Sequence, residues 1–206
     1  MKRILLTLTV FVAGLSVIAP DMNAQDNPRA SSRQDRMDQW HKDMAEFRAR
    51  SQHDRELREL ADSLSGVQAA AAVQNQDFVL MASQVTFKNG MTTFVNSTTN
   101  FISVKGKRAV VQISPSNFAS GPNGVGGVTV NGMITGQKMM TDKHGRMTYS
   151  FNVMGVGINA QVEIYMFPGS NGATATIYPN FNSNTVWIEG NIVPYENADV
   201  IEGSSL

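Results

Sequence analysis

Two carboxylates, Glu163 and Glu189, stand in the middle of alternating, strand-like runs, each two residues from an aromatic, Tyr165 and Trp187 respectively. On a strand that spacing puts each acid and its aromatic on one face. If the face lined a pocket, the pair could act as acid and base of a glycan hydrolase, or as polar anchors beside stacking rings. The alternation itself speaks against catalysis. Val162 and Ile164 flank Glu163 and Ile188 precedes Glu189, so burying the apolar face turns both carboxylates to water. A solvated carboxylic acid is ionised at neutral pH and cannot donate the proton that glycoside cleavage needs. Stacking on Tyr165 and Trp187 needs no shifted pKa and survives this argument.

A second candidate is glycine chemistry. Asn117 to Gly127 holds four glycines and Pro122, but no Lys-Ser or Lys-Thr pair follows, which excludes a P-loop. Asn123, Gly124, Gly126 and Gly127 are expected either to let the backbone approach a ligand or to supply positive φ where the chain is re-aimed between strands. Gly155-Val156-Gly157-Ile158-Asn159-Ala160 fits the dinucleotide fingerprint, yet a period-two run follows where a helix is required, so it reads as a hairpin turn.

Other chemistry is thin. The chain has no cysteine, which removes thiolate metal sites and thiol nucleophiles. His41 and His53 lie about 120° apart around a helix and cannot share a metal there, and His144 sits in a turn. No H-E-x-x-H or G-x-S-x-G occurs. The expectation is no metal, no cofactor and no catalytic residue. Formal net charge is +0, and Lys105, Lys107 and Arg108 form only a short basic cluster, so nucleic acid is not an expected partner.

The elements that must hold these residues differ along the chain. Lys2 and Arg3 precede an apolar run from Ile4 to Ala19, and Ala24 closes the segment, which reads as a signal peptide over residues 1–24. The run is shorter than the ~20 residues that cross hydrocarbon. Export to the periplasm or beyond is expected, with no membrane span after cleavage. Residues 25–65 carry eight bases and nine acids, whereas residues 66–206 carry seven of each and 16 of the 17 glycines. Met37, Trp40, Met44 and Phe47 share a helical face in the charged stretch, with Ser31 or Ser32 as cap; Asp38–Lys42, Glu46–Arg50 and Asp54–Arg58 support the polar side. A shorter helix opened by Ser65 is expected over Val67–Asn75. The register fails at Ser51 and Asp54, which argues against a long coiled coil.

From Asp77 the period is two. Nine strands are expected, over residues 78–87, 100–105, 108–114, 127–135, 137–142, 146–154, 160–167, 173–178 and 185–193, joined by turns such as Lys88-Asn89-Gly90 and Asp142-Lys143-His144-Gly145. Tight turns without helical crossovers predict an all-β antiparallel meander over residues 66–206, closing as a barrel or folding as a sandwich.

Asn100-Phe101-Ile102-Ser103-Val104, Val110-Val111-Gln112-Ile113, Asn123 through Gly132 and Glu189-Gly190-Asn191-Ile192-Val193-Pro194 follow in order. From about Val67 to Gly203 the chain resembles the bacterial domain-of-unknown-function family 4251. The resemblance implies an exported β domain and brings no assigned activity. The expected function is a non-enzymatic binding or envelope-associated protein, its partner a small molecule, a glycan or an envelope protein. Alternatives are an assembly module docking through Trp40, Met44 and Phe47, or a glycan-acting hydrolase.

Overall fold

The structure is a computed structural model that describes residues 28–114, 127–156, 159–180 and 184–205, without the side chains of 28–31. The chain divides into two compact units at Ser51/Gln52. Helix α1, Pro28–Gln74, runs without interruption across the compositional break at Ser65–Gly66. The expected second helix therefore has no start of its own. Ser65, expected as its cap, instead donates from its hydroxyl to the Asp62 carbonyl at 2.8 Å, a bond made inside a continuing helix. The first turn opens at Pro28, a residue suited to that position because its missing N–H would be unpaired there anyway. Glu46 and Arg50 form an ion pair at 3.3 Å on the exposed side.

In the first unit Met37, Trp40 and Phe47 are all more than half exposed. Nearer the barrel, α1 becomes part of the core. Ala69, Ala72 and Val73 are buried among the inward side chains of the strands. Gly66 permits that approach, since a Cβ there would stand 2.8 Å from the Ser170 backbone nitrogen.

Nine antiparallel strands follow: β1 Asp77–Phe87, β2 Thr92–Phe94, β3 Phe101–Lys105, β4 Arg108–Ile113, β5 Val128–Thr141, β6 Met147–Gly155, β7 Asn159–Met166, β8 Gly172–Pro179 and β9 Val186–Pro194. β3 to β9 pair in sequence order, β1 pairs with β3, and β9 returns to β1 from Phe78↔Pro194 to Phe87↔Val186. Eight strands thus close into a barrel, and β2 is an extra strand on β1. Two details depart from the sequence reading. The strands expected at 127–135 and 137–142 are one, β5, bent by an irregularity between Thr135 and Lys138 where Gly136 takes φ 62°. Such a bulge bends the strand without ending its pairing. β2 was not expected; Asn89-Gly90, a hairpin turn signal, is what announces it.

Alternation divides the barrel into an apolar inside and an outer wall. Phe78, Leu80, Ile102, Tyr149, Phe151, Ile164 and Ile188 fill the interior, each 2% exposed or less. Phe78 meets Tyr149 edge-on at 6.0 Å, and the Tyr149 hydroxyl donates to Gln137 Oε1 at 2.9 Å, so the one polar tip among these rings is satisfied. Burial holds the Tyr149 phenol above its ordinary pKa.

The chain after β9 turns back over the outer wall of β1, β3 and β4. A single 3-10 turn, Tyr195–Asn197, begins it. Val79, Phe101 and Val110 point outward and are buried, packed with Val193, Tyr195, Ala198 and Val200. Gln112 secures the segment. Its amide nitrogen donates to the Thr99 and Ile201 carbonyls at 3.0 and 2.8 Å, and its oxygen accepts from Thr129 Oγ1 and the Gly203 N–H at 3.0 and 2.7 Å.

Candidate functional site

The opposite side of the barrel, over β6 to β9, carries Glu163, Tyr165, Trp187 and Glu189, and among the described residues the tail does not pack on them. Strand register sets its outward side chains in rows. Ser150, Glu163, Thr176 and Trp187 lie side by side; Thr148, Tyr165, Thr174 and Glu189 form the next row; Asn152, Gln161 and Tyr178 begin a third. Glu163, Tyr165, Trp187 and Glu189 therefore share one wall although they come from two strands that are not neighbours. Val162, Ile164 and Ile188 are buried behind them, which is why the acids face out.

The two acids stand two strands and two residues apart. Two strand spacings of ~4.8 Å and two residues of rise put their Cα atoms ~12 Å apart. Glu163 has a different role in the wall. One carboxylate oxygen accepts from the Tyr165 hydroxyl at 2.9 Å and the other from Gln161 Nε2 at 3.2 Å, so its side chain lies pinned along the surface. The hydrogen bond to Glu163 holds the Tyr165 phenol above its ordinary pKa, with partial burial and the nearby negative charge acting in the same direction.

Three aromatics ring this point. Tyr165, Tyr178 and Trp187 are 42%, 42% and 43% exposed, and Thr176 lies buried between them at 9%. The Thr176 hydroxyl has no hydrogen-bond partner among the described residues. Tyr178 also belongs to a groove of about 500 Å³ lined by Thr135, Asn152, Asn159, Gln161 and Asn180. Tyr178 and this groove were missed from sequence. The signal was present, because Tyr178 alternates with Thr176 and Thr174 on one strand, but only the register with Gln161 and Trp187 brings it to the same wall.

Of the glycine-loop candidates, Asn123, Gly124 and Gly126 lie outside the described residues. Gly127 is described, on the far side of the barrel from the wall, where β5 begins. It takes φ 80°, and a Cβ there would collide with the Ile113 carbonyl. Gly127 answers to backbone geometry and is not brought together with Glu163 or Trp187. His144 lies in the β5–β6 turn, its N–H bonded to Asp142 Oδ1 at 2.8 Å. No group of three metal-ligating side chains occurs among the described residues.

A family model described as "Domain of unknown function (DUF4251)" matches residues 62–192. The chain belongs to the DUF4251 family. It is also similar to the crystal structure of a DUF4251 family protein from Bacteroides eggerthii DSM 20697, at 45% identity and a TM-score of 0.61, covering 68% of this chain and 95% of that one. No curated protein matches. The DUF4251 match takes in the rows over β6 to β9 and ends at Ile192, before the tail that covers the other wall.

Proposed function

We propose that the protein is an exported, non-enzymatic binding protein that works at the bacterial envelope and binds through the outer wall of its barrel. The observation that carries this reading is the ring of Tyr165, Tyr178 and Trp187 around Glu163 and Thr176: half-exposed stacking surfaces beside hydrogen-bonding groups with spare capacity. A packed interior turns binding to the outside. Apolar side chains point inward and polar ones outward on this wall, the reverse of the pattern by which a barrel faces lipid. Both Glu163 carboxylate oxygens are engaged along the surface by Tyr165 and Gln161, which favours an anchoring role over turnover. Export rests on Lys2, Arg3 and the apolar run to Ala19.

The test is fluorescence. With Trp40→Phe as background, Trp187 is the remaining tryptophan, and the protein is titrated with glycan, peptide and lipid-headgroup fractions of a bacterial envelope. A saturable change that Tyr165→Ala weakens at unchanged melting temperature is expected; saturable binding indifferent to Tyr165 and Trp187 overturns the reading. Mass measurement of the native protein should show loss of about 24 residues, and the intact chain in the cytoplasm would refute export.

A second reading has its own observation. Trp40 and Phe47 are 56% and 65% exposed on one face of α1, as anchors for a partner's groove would be. If α1 docks, Trp40→Ser with Phe47→Ser releases the protein from the envelope fraction; unchanged partition rejects docking.

A further inference from the structure

The chemistry of the wall narrows what it can hold. We infer that the surface formed by Tyr165, Tyr178 and Trp187 around Glu163, with the adjoining groove, binds a neutral, hydroxyl-rich chain, a glycan without acidic groups. This rests on the reading of the wall as the binding surface and goes beyond it by naming the ligand class.

Three features point the same way. The first is charge. Glu163 and Glu189 are the only charged residues in the two rows from β6 to β9; the bases that border them are Lys138, across Ser150 on β5, and Arg146, in a pocket shared with Thr148 and Tyr165. A phosphate, sulfate or uronate at Glu163 would meet two carboxylates, while the bordering Arg146 is already engaged by Asp142 at 2.8 Å, and like charge close by costs binding energy. Neutral hydroxyls meet no such penalty.

The second is the state of Glu163. Its two oxygens each take one donor from the protein, Tyr165 and Gln161. An ionised carboxylate has about four acceptor sites, so capacity remains for two more donors while the group is already held in place. Adjacent hydroxyls of a sugar present two donors on one side. The bonds they make to a charged acceptor are stronger than bonds between neutral groups.

The third is the pairing of rings with amides. Register puts Trp187 and Tyr178 diagonally across adjacent strands, roughly 7–8 Å apart, a span that a sugar face can bridge by resting its C–H groups on both rings. Beyond Tyr178 the groove offers Asn152, Gln161, Asn159 and Asn180. A side-chain amide both donates and accepts, as a hydroxyl does, so the groove can meet either orientation of a sugar hydroxyl. Asn180 Oδ1 is taken by the Asn159 N–H at 3.1 Å, while the Asn152 amide has no hydrogen-bond partner among the described residues. Met154 and Ala160 supply the apolar part of the lining.

The experiment uses the full chain and oligosaccharides of four to six units: neutral gluco-, manno-, xylo- and galacto-oligosaccharides, and oligogalacturonate as the acidic counterpart. Binding is read by calorimetry and by Trp187 emission in the Trp40→Phe background. At least one neutral series should bind saturably and oligogalacturonate should not. Glu163→Gln and Trp187→Ala should each weaken the neutral ligand tenfold or more, and Asn152→Ala or Tyr178→Ala severalfold, with melting temperatures unchanged. Preference for oligogalacturonate, or neutral binding indifferent to Glu163 and Tyr178, overturns the inference. So does the absence of any neutral binder. If a peptide or headgroup then binds with dependence on Trp187, the wall remains the binding surface and only the ligand class is wrong; if no ligand depends on Trp187, both readings fall.

Discussion

Two stretches of the same barrel's outer wall have opposite chemistry. Over β1, β3 and β4 the outward residues Val79, Phe101 and Val110 are apolar and lie beneath the returning tail. In the rows through Glu163 and Tyr165 the outward residues are Ser, Thr, Glu and exposed aromatics, and none of them packs with the described part of the tail. The polar groups differ as well. Gln112, fully buried, uses both donors and both acceptor sites within the protein. Glu163 keeps capacity in hand. A wall covered by its own chain must be satisfied internally, because an unpaired buried polar group costs ~1–3 kcal/mol. A wall left to solvent can hold hydrogen-bonding capacity at no such cost, and that capacity is what a ligand can use.

The comparison breaks most severely if the cover is removed. Deleting Ala198 to Leu206 should expose Phe101, Val79 and Val110 and strip Gln112 of Ile201 and Gly203, for a loss of ~3–5 kcal/mol. Urea unfolding and binding of a hydrophobic dye report it. An unchanged midpoint would mean that the tail is not part of the folded unit. Gln112→Ala, which keeps the tail, should cost ~2–3 kcal/mol by removing the hydrogen bonds it makes to the Thr99 and Ile201 carbonyls and the Gly203 N–H. Gly127→Val, at the β4–β5 edge, should cost roughly 1 kcal/mol or more, since it combines positive φ with a collision at the Ile113 carbonyl.

On the bare wall the same measurement should show little. Trp187→Ala and Asn152→Ala are expected within about 0.5 kcal/mol of wild type, and a large loss at either would erase the contrast. Glu163→Gln should instead move a titration. It removes the charged acceptor of the Tyr165 hydroxyl, so the raised phenol pKa should fall toward its ordinary value in an ultraviolet titration. The sign follows from the raised value: stability from this bond is complete below about pH 10 and is lost as pH rises through the folded pKa.

The smallest effect lies in the β5–β6 turn. The hydrogen bond from the Arg146 side chain, with the Arg146 and His144 backbone N–H groups, holds the Asp142 carboxyl below the ordinary carboxylate range. Its stabilising effect is present above about pH 4 and declines as pH falls through the lowered value. Asp142→Asn should flatten the acid side of a melting-temperature profile slightly and leave the alkaline side alone.

Much of this molecule is legible residue by residue. Strand and helix periods are local, so Val162, Ile164 and Ile188 announce which way Glu163 and Glu189 face. Antiparallel pairing in chain order follows from short turns. What remains was decided by contacts between residues far apart in sequence. Closure rests on β1 meeting β9, more than a hundred residues later, and no periodicity distinguishes that from a sandwich. Ala69, Ala72 and Val73 of α1 are buried only because the strands' inward side chains pack around them. Gln112 reads as a polar residue in a strand, yet it is buried because Ile201 and Gly203 come back to it. Tyr178 joins Trp187 only through the register of β8 on β9. That Val79, Phe101 and Val110 are covered although they face outward is decided by Tyr195, Ala198 and Val200 packing on them, because burial is a property of the neighbours and not of the residue.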